Sequence, residues 1–163
     1  MNVHAARRDQ VVIPTAERMR EFGASLAALL RPGDLVVLSG PLGAGKTVLA
    51  QGIAAGLGVR ETVTSPTFVL ARVYPQGRIP LVHVDAYRLG GIAEVDDLDL
   101  DADADSSVTV VEWGAGLVGG LAPEHLEIAV VRPTAAESGE VRTLRLVPSG
   151  PQWARRLREL PPG

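Results

Sequence analysis

The chain has 163 residues, 46% hydrophobic and 21% charged, a composition that excludes wholesale disorder and fits one folded domain, 1–163. Sixteen basic residues against nineteen acidic ones leave a net charge of -3, so no global field draws the chain onto nucleic acid or an anionic membrane. Cysteine is absent, which excludes disulfides, thiolate metal sites and cysteine catalysis together.

The first 14 residues lack the apolar stretch of a signal peptide, and no later run reaches the ~18 apolar residues of a membrane span, so the expected location is cytoplasmic. Behind Pro14-Thr15, the residues Met19, Phe22, Leu26, Leu29 and Leu30 recur at helical spacing until Arg31-Pro32-Gly33, which predicts an amphipathic helix over 15–30. Leu35-Val36-Val37-Leu38 is a continuous apolar run, the mark of a strand buried on both faces. A glycine-rich turn follows, then an Ala- and Leu-rich stretch from Thr47 to Leu57 closed by Gly58, read as a helix with a glycine cap. Strands are expected over 68–74, 81–84 and 108–111, and an antiparallel hairpin over 126–131 and 141–147 with Leu144 and Leu146 on one face. A short last helix carries Trp153, Leu157 and Leu160 on one side, with Arg155, Arg156 and Arg158 as its wet face. Strands interleaved with helices predict an α/β domain: a mainly parallel central sheet flanked by helices, with an antiparallel C-terminal hairpin.

The chemistry lies in Gly40-Pro41-Leu42-Gly43-Ala44-Gly45-Lys46-Thr47, which fits G-x-x-x-x-G-K-[ST] between the strand and the helix that this motif needs. Its glycines let successive backbone N–H groups turn inward around phosphate oxygens at a helix N-terminus. Lys46 would place its charge on the β- and γ-phosphates, and the Thr47 hydroxyl would ligate the bridging magnesium ion. Lys46 is the sole lysine among sixteen basic residues, at a position where a planar guanidinium does not replace a compact ammonium.

Such a loop works with an acid at the end of a neighbouring strand. Asp85 ends Leu81-Val82-His83-Val84 and Glu112 ends Val108-Thr109-Val110-Val111. The pattern alone does not say which of them holds the metal. Thr62, Thr64, Ser65 and Thr67 crowd hydroxyls into the loop after the helix, where a switch segment or an ordinary polar loop would sit. His83, flanked by valines, reads as a satisfied strand histidine and receives no role. Asp101, Asp103, Asp105 and Glu112 fall at calcium-loop spacing, but Ser106 stands where that loop needs glycine, and the stretch 94–105 reads as a solvated acidic loop.

Read together, GPLGAGKT at 40–47, TSPTFVL at 64–70, HVDAYRL at 83–89 and VEW at 111–113 resemble the TsaE (YjeE) family of bacterial tRNA threonylcarbamoyladenosine biosynthesis. The resemblance implies a P-loop NTPase fold, ATP hydrolysis with Mg2+, and work as an accessory subunit beside TsaD and TsaB; the net charge of -3 agrees with no strong tRNA binding of its own. Carried over by position, it makes Gly40 and Leu42, Gly43, Ala44, Gly45, Lys46 and Thr47 the phosphate cradle. Thr47 and Glu112 become the magnesium ligands, Asp85 a functional acid near the metal, and Ser65, Pro66 and Thr67 a switch-like loop. Trp113 becomes a sensitive neighbour of Glu112. Gly114 stands where the family usually has proline, and the acidic stretch 94–105 departs from the family's more hydrophobic segment.

The competing reading is a small-molecule kinase on the same phosphate loop, with Arg72, Arg78 and Arg88 as cationic clamps. A nucleotide-binding scaffold without hydrolysis is a third. A GTPase of the [NT]-K-x-D type is excluded, since Lys46 is the sole lysine. Arg142 and Arg145 on the last strand are further candidates for nucleotide contact.

Overall fold

The computed structural model describes residues 10–40, 45–61, 63, 71–85, 106–112, 124–131 and 141–160. In chain order these form β1 (Gln10–Ile13), α1 (Ala16–Ala27), β2 (Leu35–Ser39), α2 (Lys46–Gly56), β3 (Ala71–Tyr74), β4 (Leu81–Asp85), β5 (Val108–Glu112), β6 (His125–Val131), β7 (Arg142–Ser149) and α3 (Pro151–Arg156). A 3-10 turn, Leu157–Glu159, continues α3.

The strands make one seven-stranded sheet of order β1-β7-β6-β2-β5-β4-β3. Its centre is parallel, with β2 bonded to β5 on one side and β6 on the other, and β4 beyond β5. Both edges are antiparallel. The expected C-terminal hairpin is there, pairing Ile128 with Leu146 and Val130 with Leu144. A second hairpin, β3 on β4, closes the opposite edge. β1, which the sequence does not announce, pairs with β7 from Gln10↔Arg145 to Ile13↔Arg142. Four residues with one buried side chain are too short for alternation to register; a distant strand makes this one.

Thr15 caps α1: its backbone is extended and its hydroxyl accepts from the Arg18 N–H at 3.1 Å, as an N-cap side chain should. The helix ends at Ala27 rather than at 30: the N–H groups of Ala28, Leu29 and Leu30 bond to the carbonyls three residues back, a tightened last turn, and the Arg78 guanidinium donates to the Ala27 carbonyl at 2.8 Å. Leu30 is still buried, at the end of the turn that follows. Met19 and Leu26 of α1, Leu49 and Ile53 of α2, and Trp153 of α3 join Val36, Leu38, Ile128 and Leu144 in one core on one side of the sheet. Each such side chain contributes about 1.5–3 kcal/mol by leaving water. On the other side Val37, Val82, Val84 and Val111 are buried as well, which is why the central strands read as unbroken apolar runs.

α1 and α2 touch backbone to backbone. A Cβ on Gly23 would lie 2.7 Å from the Ile53 nitrogen, and one on Gly56 would lie 2.6 Å from the Ala27 Cβ. A Cβ on Gly52 would collide with the Arg20 carbonyl oxygen.

One expectation for the last helix is corrected. Arg155 is exposed, but Arg156 is only 9% exposed. Its Nη1 donates to Asp34 Oδ2 at 2.5 Å, and its guanidinium sits 4.5 Å from the Trp153 ring centroid. The same Asp34 oxygen accepts from the Arg31 N–H at 2.6 Å. The partner, 122 residues away in sequence, is invisible to helical periodicity. An Asp34→Ala protein is expected to lose about 2–3 kcal/mol, since a buried guanidinium is left without its charge-assisted bond. Urea unfolding checks this; a midpoint matching the parent's would mean that the pair contributes nothing. Among the described residues no helix is long and apolar enough to cross a membrane.

Candidate functional site

The parallel order brings the C-terminal ends of β2, β4 and β5 to one rim of the sheet, the edge where α/β folds place their ligands. Glu112, the last residue of β5, is in register with Leu38 on β2 and with Asp85 on β4. The chain leaves β2 through Ser39 and Gly40 and enters α2 at Gly45 and Lys46.

The backbone explains the glycines at both ends of this turn. Gly40 has φ +144°, and a Cβ there would stand 2.6 Å from the Val130 carbonyl oxygen on β6. Gly45, the residue before α2, has φ +110°, a conformation that L side chains avoid. Between them lie Leu42, Gly43 and Ala44, which are outside the described residues. The helix then opens without a side-chain cap on its first turn, leaving N–H donors at the end where the helix dipole favours anions.

Lys46 is 5% exposed and its Nζ donates to the Gly40 carbonyl at 2.6 Å. The ammonium is thus folded back from the start of α2 toward the end of β2, where a phosphate oxygen would compete for it. Thr47 Oγ1 donates to Glu112 Oε1 at 3.0 Å. Two expected residues, 65 positions apart in sequence, therefore meet at the N-terminus of α2. A hydroxyl and a carboxylate are hard oxygen donors, the kind that magnesium takes in small number from protein when nucleotide phosphates and water supply the rest. The donor set fits that ion.

His83 also belongs here. Fully buried on β4, it places Nε2 2.7 Å from Glu112 Oε2, so both carboxylate oxygens are held. The sequence reading of His83 as a satisfied strand histidine holds for Nε2 alone, and its partner there is the candidate metal ligand. The signal that would have revealed this is the adjacency of β4 and β5, which puts the alternate residues of 81–85 beside Glu112. A smaller pair, Ser39 Oγ donating to Glu127 Oε1 at 3.2 Å, links β2 to β6 beside the same rim.

Other expected residues fall elsewhere. The backbone of Asp85 ends β4 in register with Glu112, while its side chain is outside the described structure. Thr62, the segment 64–70 with Ser65, Pro66 and Thr67, the acidic stretch 94–105, Arg88 and Trp113 are likewise outside it. Arg78 is committed to the end of α1, and Arg72 lies exposed on the edge strand β3. Arg145 shares a cross-strand row with Ala129 and Ser39, two strand spacings or ~10 Å from Ser39 at the end of β2. Arg142 lies further along β7, opposite Ile13.

The family model for TsaE, threonylcarbamoyl adenosine biosynthesis protein TsaE, matches residues 13–141. The tRNA threonylcarbamoyladenosine biosynthesis protein TsaE of Streptomyces coelicolor is 55% identical over 139 residues, covering 83% of this chain and 94% of that protein. The protein of the same name from Bacillus subtilis is 39% identical over 117 residues, with 71% and 73% covered. Among solved structures, the crystal structure of YdiB from Bacillus subtilis matches with a TM-score of 0.75 and 29% identity, over 93% of this chain and 92% of that one. The α/β P-loop fold expected from the sequence is the fold found.

Proposed function

The chain belongs to the TsaE family, and from that premise we propose that it is a magnesium-dependent ATPase of the cytoplasm, an accessory subunit whose nucleotide state controls its association with TsaD and TsaB. Family membership gives it a part in tRNA threonylcarbamoyladenosine biosynthesis. The observation that carries the finer reading is the meeting of Thr47 with Glu112 beside Lys46 at the N-terminus of α2.

In this reading Lys46 gives up the Gly40 carbonyl for the β- and γ-phosphate oxygens, and the N–H groups from Gly45 onward receive the same anion. Thr47 and Glu112 hold magnesium, which when bound neutralises charge on those oxygens. Asp85, at the same rim, is the acid that acts near the metal. The net charge of -3 agrees with a subunit that leaves tRNA to its partners.

Phosphate release from ATP and from GTP, measured with magnesium for the chain alone and with its cognate TsaD and TsaB, tests the proposal. ATP turnover that rises with the partners supports it. Turnover indifferent to the partners but raised by a metabolite pool replaces it with the kinase reading. A Lys46→Arg protein is expected to bind a non-hydrolysable ATP analogue about 10- to 100-fold more weakly, the size of one charge-assisted hydrogen bond. Titration calorimetry reads this, and unchanged affinity would remove Lys46 from the phosphate site.

A further inference from the structure

His83 is fully buried, with Val110 as its register partner on β5. Its Nε2 meets Glu112 Oε2 at 2.7 Å, while Oε1 of the same carboxylate accepts from Thr47 at 3.0 Å. Nδ1 is buried and has no hydrogen-bond partner among the described residues. A neutral imidazole carries one N–H donor and one acceptor nitrogen. With the proton on Nδ1, a buried donor would be stranded and two lone-pair-bearing atoms would face each other across 2.7 Å. With the proton on Nε2, the donor has its carboxylate acceptor, the contact is attractive, and one acceptor nitrogen is left over. The arrangement therefore selects the Nε2–H form.

An apolar side chain at this fully buried position would avoid the cost of burying a polar ring. What the ring adds is a donor aimed at one oxygen of Glu112. We propose that His83 is a positioning residue: its Nε2–H fixes Oε2, sets the rotamer of Glu112, and leaves Oε1 as the oxygen presented to Thr47 and to magnesium. This rests on the reading of Thr47 and Glu112 as magnesium ligands and extends it to the group behind them. Partners of this kind fix the direction of a metal ligand, and removing one typically costs about 10- to 100-fold in metal affinity.

The test uses the full-length protein, with His83→Leu and His83→Gln beside the parent. Binding of a non-hydrolysable ATP analogue is titrated in EDTA and again across a magnesium series. The leucine variant is expected to bind the analogue in EDTA within about twofold of the parent, yet to need roughly 10-fold or more magnesium for the half-maximal gain in affinity. The glutamine variant, whose amide N–H falls near the Nε2 position, should recover most of that loss. In the parent, nitrogen-15 spectra of the histidine ring are expected to show the Nε2–H form. The His83 signal is identified by its absence from the glutamine variant, among three histidines.

Equal magnesium requirement in the leucine variant and the parent overturns the proposal. Equal impairment in both variants does so too, because the donor is then not what matters, and so does an Nδ1–H form. If the leucine variant does not fold, the parent spectrum decides: the Nε2–H form supports the proposal and an Nδ1–H form overturns it. A parent without any magnesium-dependent gain overturns the proposed function itself, a result distinct from a parent that shows the gain and a leucine variant that keeps it.

Discussion

A Gly52→Val protein is expected to lose on the order of 4 kcal/mol of stability, among the larger effects a single substitution produces. In an ordinary exposed helix the sign is opposite, since replacing glycine with a residue such as alanine gains roughly 0.5–1 kcal/mol through backbone entropy. Here the new Cβ meets the backbone of α1, at the Arg20 carbonyl oxygen, its Cα at 2.8 Å and its carbonyl carbon at 2.9 Å. A peptide group inside a helix cannot swing aside as the tip of a side chain can. Relief requires α2 to move off α1, and the first residues of α2 are Lys46 and Thr47. Nucleotide affinity should therefore fall along with the urea midpoint. A Gly52→Val protein as stable as the parent would show that the two helices do not lie in backbone contact.

A Glu112→Ala protein is expected to lose ATP turnover by about 100-fold or more, beyond what is lost with an outer-shell partner of a metal ligand. Two donors lose their acceptor at once, the Thr47 hydroxyl and the buried His83 ring, so stability should fall by about 1–3 kcal/mol as well. Nucleotide binding in EDTA is expected to survive, because Lys46 and the N-terminus of α2 are intact. Glu112→Gln separates the effects. Its carbonyl oxygen still accepts from one of the two donors, so it should melt closer to the parent while remaining slow. Phosphate release and thermal unfolding of both variants check this, and a fast alanine variant would remove Glu112 from the chemistry.

The parts of this molecule legible in the sequence are those set by neighbours along the chain. The run at Leu35 to Leu38, the glycines of the turn and the Ala-rich helix are local signals, and β2 and α2 stand where those signals lie. The Thr15 cap and the Met19 and Leu26 stripe are local too. The misses depend on contacts between distant segments. Arg78 is held at the end of α1, Arg156 leaves the wet face for Asp34, and β1 exists by virtue of β7. The site divides in the same way. Lys46 and Thr47 follow from a motif, and Glu112 from its place at a strand end. The purpose of His83 depends on β4 lying next to β5, which the sheet order decides and a reading along the chain does not.

That sheet order also has a consequence for how the protein is made. Among the described residues β1 has a single neighbour in the sheet, β7, and the Asp34 carboxylate pairs with Arg156. A chain leaving the ribosome N-terminus first thus carries β1 unpaired, and Asp34 without its arginine, until the last strand and helix emerge. The strands β2, β4 and β5, with α2 between them in sequence, can associate earlier, since they pair with one another before residue 113 and only the other edge of β2 waits for β6. Closing the N-terminal strand against the C-terminal hairpin is a long-range step of the kind that slows folding. Pulse-labelled amide exchange during refolding should find β2 and β5 protected before β1.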